Sequence, residues 1–92
     1  MWELEYSGQF KKDLKLMSKR RYDIEKIRTV LNYLQQDGQV PQSYHPHILT
    51  GNWQGIWECH ISPDWLLLYD ITDTINLVRL VRTGTHSELF KK

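Results

Sequence analysis

The feature that most constrains the fold is a change of hydrophobic period part-way along the chain. Between Ser7 and Gly38 the apolar residues recur every three or four positions. From Asn52 to Arg82 they alternate or run continuously. The first spacing is one face of a helix and the second is the pleat of a strand. Helices gathered in one block and strands in another imply an α+β fold, with a helical pair laid against a mostly antiparallel, curved sheet.

The local signals agree with that division. Trp2, Leu4 and Tyr6 alternate with Glu3 and Glu5, which predicts a short N-terminal strand. Ser7 then offers an N-cap, and Phe10, Leu14 and Met17 make one apolar helix face opposite Lys11, Lys12, Lys15 and Lys19. Asp23 starts a second helix whose buried stripe is Ile24, Ile27, Leu31 and Leu34, and Asp37-Gly38 ends it. A link this short predicts an antiparallel helical hairpin. A brief extended piece is expected around His47–Leu49. A strand over Asn52–Ile61 would put Trp53, Trp57, Cys59 and Ile61 on one face and Ile56, Glu58 and His60 on the other. Trp65–Ile71 is the central strand, Ile75–Arg82 the last, and Ser87–Phe90 a short C-terminal helical turn.

Ninety-two residues set the expectation at one domain spanning 1–92. The single cysteine, Cys59, cannot form an internal disulfide, which excludes a disulfide-stapled scaffold. The N-terminal stretch lacks the apolar core of a signal peptide, and the apolar run Trp65–Tyr69 is too short to span a bilayer. The expected location is cytoplasmic, with no membrane partner.

The overall charge of +1 conceals an asymmetry. From Lys11 to Arg28 eight Lys/Arg face three acids, giving +5, and the rest of the chain is −4 and holds all four histidines. A basic segment beside a histidine-bearing segment suits a polyanion held by one and worked on by the other. An ordinary solvated helix face would show the same charges.

The polar residues that fall at strand ends and turns are His45, His47, His60, Asp64, Arg79, Arg82 and His86. Cleaving RNA through its own 2′-hydroxyl needs a group to take one proton, a group to give one, and a cation for the phosphorane. Histidine serves both proton roles near neutrality. Each residue also has a plainer reading. His45-x-His47 is at most half a metal site, His60 fits the outer face of a strand, Asp64 after Pro63 fits a turn, and Cys59 between Trp57 and Ile61 fits a core.

In order along the chain these pieces form longer strings. His47-Ile-Leu-Thr-Gly51-Asn-Trp53-Gln-Gly55, then Glu58-Cys-His60-Ile-Ser-Pro63-Asp64-Trp65, then Arg79-Leu-Val-Arg82-Thr-Gly84-Thr-His86-Ser-Glu-Leu89-Phe90 resemble the YafQ-type toxins of the RelE/ParE superfamily, and Tyr6–Asp13 resembles their N-terminal strand and helix start. The resemblance covers nearly the whole chain. It implies a RelE-like fold and cleavage of mRNA on the ribosome. It also implies neutralisation by a cognate antitoxin, a small DNA-binding protein, and no cofactor or metal.

The functional positions implied by the resemblance are His47, His60, Asp64, Trp65, His86 and Phe90, with His47 and not His45 matching the first. On that reading His86 is the general acid. His60 or His47 takes the 2′-hydroxyl proton or stabilises the phosphate as a cation, and Asp64 orients a histidine or shares the base role. Arg82 either stabilises phosphate charge or supports the sheet. Trp65 and Phe90 pack near or stack on the substrate, and Lys11, Lys15, Lys19 and Arg20 hold phosphates of mRNA or of the 70S ribosome. Two other readings use the same scaffold: a toxin that binds gyrase or another partner, and a non-catalytic RNA-binding domain.

Overall fold

The computed structural model describes residues 1–90. Its elements are β1 (Glu3–Tyr6), α1 (Gly8–Lys19), α2 (Ile24–Asp37), β2 (His47–Ile48), β3 (Trp57–Ser62), β4 (Trp65–Thr72), β5 (Leu77–Gly84) and α3 (His86–Leu89). Among the described residues no helix is long and apolar enough to cross a membrane.

The helix boundaries follow from the capping chemistry. Ser7 Oγ accepts the Phe10 amide at 2.9 Å and Asp23 Oδ1 accepts the Glu25 amide at 3.0 Å, each satisfying an orphan donor of the first turn. Gly38 closes α2 in the left-handed region at φ 70°. A second constraint acts there, because the Trp2 indole occupies the space where a Cβ would stand.

The sheet order is β1-β5-β4-β3-β2. The β2–β3, β3–β4 and β4–β5 junctions are antiparallel, and β1 joins the edge parallel to β5. β4 is therefore central, as its continuous apolar run requires. One face of the sheet carries Cys59, Ile61, Trp65, Leu67, Tyr69, Val78 and Leu80 against Phe10 and Met17 of α1 and Ile27, Val30 and Leu34 of α2. The helices pack on the sheet, α1 mainly on β5 and α2 on β3 and β1. The opposite face carries a smaller cluster of Leu66, Leu68 and Leu89, ringed by Leu49, Trp53, Ile56, Val81 and Phe90.

Two expectations of detail are corrected. The strand predicted from Asn52 begins only at Trp57, after a 3-10 turn at Gly51–Trp53. Gly51 (φ 72°) and Gly55 (φ 88°) take conformations no strand contains, so the count of alternation restarts. Trp53 accordingly lies in the cluster on the other face and not beside Trp57. Likewise Ile75 ends a 3-10 turn and is exposed, so the last strand starts at Leu77 and runs on to Gly84.

Candidate active site

The sheet register decides which polar residues meet. Residues directly opposite across a ladder share a face. Glu58 stands opposite both His47 and Leu68, and His60 stands opposite Leu66, which in turn faces Gly84. Leu66 and Leu68 belong to the cluster turned away from α1 and α2, so Glu58 and His60 project on that same side. From His60 to Gly84 is two strand spacings, roughly 10 Å. The chain leaves the sheet after Gly84, and Thr85 caps α3, whose first residue is His86. Leu89 anchors α3 on this face. One end of the sheet therefore carries three of the four histidines on or beside a single surface.

Glu58 organises two of them. Its side chain is only 7% exposed, and Oε1 lies 3.0 Å from Nε2 of His47 and 3.7 Å from Nε2 of His60. The other ring nitrogen of His47, Nδ1, lies 3.0 Å from the carbonyl oxygen of His45. Both nitrogens of His47 thus face acceptors. A protonated ring can donate to both and a neutral ring to one. His45 adopts the left-handed conformation at φ 53°, which aims that carbonyl, and its ring sits edge-on to His60 with centroids 5.9 Å apart. An open cleft of about 530 Å³ separates the Ser43–His45 loop from the β3–β4 hairpin, with His45, His60, Ser62 and Pro63 on its walls.

His86 is exposed and its side chain makes no hydrogen bond among the described residues, its carbonyl accepting the Phe90 amide. Its ring packs at 4.9 Å from that of Phe90, and Phe90 in turn meets Trp53 edge-on at 6.5 Å. The half-buried Phe90 backs His86 and keeps part of its ring accessible. No group of three or more His, Cys, Asp or Glu among the described residues is placed to hold a metal ion.

The family model described as a bacterial toxin of type II toxin–antitoxin systems, YafQ, matches residues 2–91. The chain belongs to the YafQ toxin family. The mRNA interferase toxin YafQ of Escherichia coli strain K12 is 43% identical over 89 residues, covering 96% of this chain and 95% of the relative. The crystal structure of YafQ from E. coli strain BL21(DE3) aligns with a TM-score of 0.89 at 41% identity, covering 98% of this chain and 99% of that one. The toxin in the E. coli DinJ–YafQ toxin–antitoxin complex aligns at 0.86 with 42% identity, covering 97% of each chain.

Placed in this YafQ-family fold, the residues expected from sequence divide into two groups. His47, His60, His86 and Phe90 come to the face just described. Asp64 stands exposed on the turn between β3 and β4 and has no hydrogen bond to a histidine among the described residues; the orienting carboxylate is Glu58. Trp65 is corrected outright. It is 1% exposed, donates from Nε1 to Thr83 Oγ1 at 2.8 Å, and packs edge-on to Tyr22 on the helix side. It offers no face to a base.

Arg82 has its guanidinium forked onto Asp13 of α1, Nε to Oδ2 and a terminal nitrogen to Oδ1, both at 3.0 Å. The register breaks beside this pair: Leu68 is opposite Arg82 and Tyr69 opposite Leu80, so Val81 is an extra residue in β5. The toxin's Lys11, Lys15 and Lys19 stay exposed along α1, whereas Arg20 is paired at 2.6 Å with Glu88. Glu58 was missed by the sequence reading because an acid on an alternating strand looks like a solvent-facing residue. Its neighbours His47 and His60, at pairing and i+2 positions, were the available signal.

Proposed function

We propose that this chain acts as a ribosome-dependent endoribonuclease, cleaving mRNA by attack of the substrate's own 2′-hydroxyl, and that a cognate antitoxin silences it. The observation that carries the reading is the gathering of His47 and His60 around buried Glu58, with His86 presented at the end of the adjoining strands. The name of the E. coli relative supports the activity, and the solved DinJ–YafQ complex supports an antitoxin partner.

His60, held loosely at 3.7 Å from Glu58, takes the 2′-hydroxyl proton as the O2′–P bond forms. Asp64, on the rim beside Pro63, shares that base role from the open side. His47, with acceptors at both nitrogens, stands as the cation beside the phosphorane. His86 gives its proton to the 5′-oxygen as the P–O5′ bond breaks, and Phe90 backs its ring and packs against the substrate. The products are a 2′,3′-cyclic phosphate and a 5′-hydroxyl, and no external co-reactant is needed. The exposed lysines of α1 hold ribosomal or message phosphates, so the ribosome supplies the orientation that a small open face lacks. The site of action is the cytoplasm, where messages are translated.

The test replaces the 2′-hydroxyl of the scissile nucleotide with hydrogen in a message bound to ribosomes. Cleavage at that bond should vanish while ribosome and metal content stay the same. Cutting at the normal rate would mean that the 2′-hydroxyl is not the nucleophile and that these histidines do other work.

A further inference from the structure

We propose that the Arg20–Glu88 ion pair is a positioning device for His86, with Arg20 acting on α3 and not on nucleic-acid phosphate. The claim rests on the proposed nuclease reading in so far as His86 is the reacting acid.

α3 has four residues, and an isolated helix shorter than about 12–15 residues does not hold itself together in water. Its placement must come from outside. One anchor is Leu89, buried against Leu66 and Leu68. That contact holds the C-terminal end of the element, away from His86. The N-terminal end is held by Glu88 alone among the acids. Its Oε1 accepts the Thr85 amide at 3.0 Å and the Thr85 hydroxyl at 2.9 Å, completing a capping box around the residue that precedes His86. Its Oε2 is 2.6 Å from the Arg20 guanidinium. Both carboxylate oxygens are therefore committed, one to the cap and one to α1.

The other end of this link is firm. Arg20 closes α1, where its amide bonds back to the Leu16 carbonyl and the following Arg21 amide to that of Ser18. About two turns earlier Asp13 ties α1 to the end of β5, accepting Arg82 twice and the Thr83 amide at 3.2 Å. α1 thus grips the strand that leads into α3 and the helix itself from one side. The fit is close: a Cβ added to Gly84 would stand 3.2 Å from Glu88 Oε1. Hydrogen bonds from Thr85 and Arg20 hold the Glu88 carboxyl below its usual range, so it is the charged acceptor this geometry needs.

The pair is partly exposed, with side chains 42% and 29% accessible, so its direct worth to stability is small. Its effect is geometric. A reacting group displaced by about 1 Å can lose up to a hundredfold in rate.

The experiment uses the full chain on ribosomes programmed with a synthetic message, reading the rate at saturation, the half-saturating concentration and its salt dependence. Arg20→Ala and Glu88→Gln should each lower the saturated rate by roughly tenfold, leaving half-saturation and salt slope unchanged. The double variant should be no slower than either single one, because both break the same link. Arg20→Lys, which keeps the charge, should recover part of the rate. Melting temperatures close to that of the parent chain separate positioning from loss of fold. A second readout needs no activity: amide exchange at Leu89 and Phe90, which bond to the Thr85 and His86 carbonyls, should quicken in Arg20→Ala.

A raised half-saturation and flattened salt slope at an unchanged rate would make Arg20 a phosphate ligand and overturn the proposal, as would unaltered amide exchange. If the parent chain cuts nothing on ribosomes, the nuclease reading fails by itself and the exchange result still decides whether the link holds α3.

Discussion

Replacing Asp13 with alanine should unfold much of the stability of this small chain, and the size of the effect can be worked from its partners. Asp13 is 7% exposed and accepts four hydrogen bonds: Gln9 and Arg82 on Oδ1, Arg82 and the Thr83 amide on Oδ2. The Thr83 amide belongs to a residue 2% exposed and has no water to turn to, so its loss costs about 1–3 kcal/mol. Arg82 is 28% exposed and can rehydrate in part, so its loss is nearer one charge-assisted bond, about 1.5–3 kcal/mol, than a fully buried pair. The sum is roughly 2.5–6 kcal/mol, or a fall in Tm of at least about 10 °C for a domain of this size.

Denaturant unfolding of Asp13→Ala, Arg82→Ala and the double variant closes a cycle whose coupling should be about 1.5–3 kcal/mol. The sign of the result bears on function. A large coupling makes Arg82 a strut between β5 and α1. A coupling below about 0.5 kcal/mol, within the scatter of independent sites, would refute this and return Arg82 to the phosphate.

Other outcomes follow from the same contacts. His86→Ala should abolish the growth arrest caused by expression without antitoxin while keeping the melting temperature, since the side chain is exposed; a folded, fully toxic variant would remove His86 from the chemistry. Trp65→Phe should cost at least about 1 kcal/mol of stability through the lost bond to Thr83 Oγ1, which keeps its own bond to the Leu66 carbonyl, and the unfilled core volume, and leave half-saturation by message unchanged; a weaker message affinity in a stable variant would put Trp65 back in the site. Burial raises the Cys59 thiol to about 12, so the native protein should resist thiol reagents in mildly alkaline buffer and react only on unfolding; rapid native labelling would contradict the core placement. The Thr85 and Arg20 hydrogen bonds hold the Glu88 carboxyl below the ordinary glutamate range when folded, so its contribution to stability is present above that range and is lost as pH falls through the folded value. The stability gap between the parent chain and Glu88→Gln should therefore close on acidification, and a gap that widens would contradict the assigned partners.

Much of the fold was legible in the chain because each element carries its own local physics. Ser7, Asp23 and Gly38 mark helix ends through caps that need no distant partner. The apolar run of β4 marks a central strand because both of its faces are covered. The histidines stood out as chemistry, and their strings carried the family. The errors have physical causes too: two glycines at positive φ reset the alternation before Trp57, and the tryptophan beside Asp64 turned inward.

Sequence by itself determined the order of helices and strands and which side chains have the chemistry to move protons, since period, capping and side-chain type are properties of neighbours along the chain. Only the tertiary structure decided who meets whom. Glu58 reaches His47 because a two-residue strand pairs with β3, and β1 lies parallel beside β5, seventy or more residues away. Arg82 meets Asp13 because α1 packs on β5 and brings together residues distant in the chain. Arg20, one basic residue among eight in its segment, reaches Glu88 because α1 packs on β5, the strand that leads into α3. Such contacts are set by register and packing between distant segments, and a single sequence carries no local mark of either.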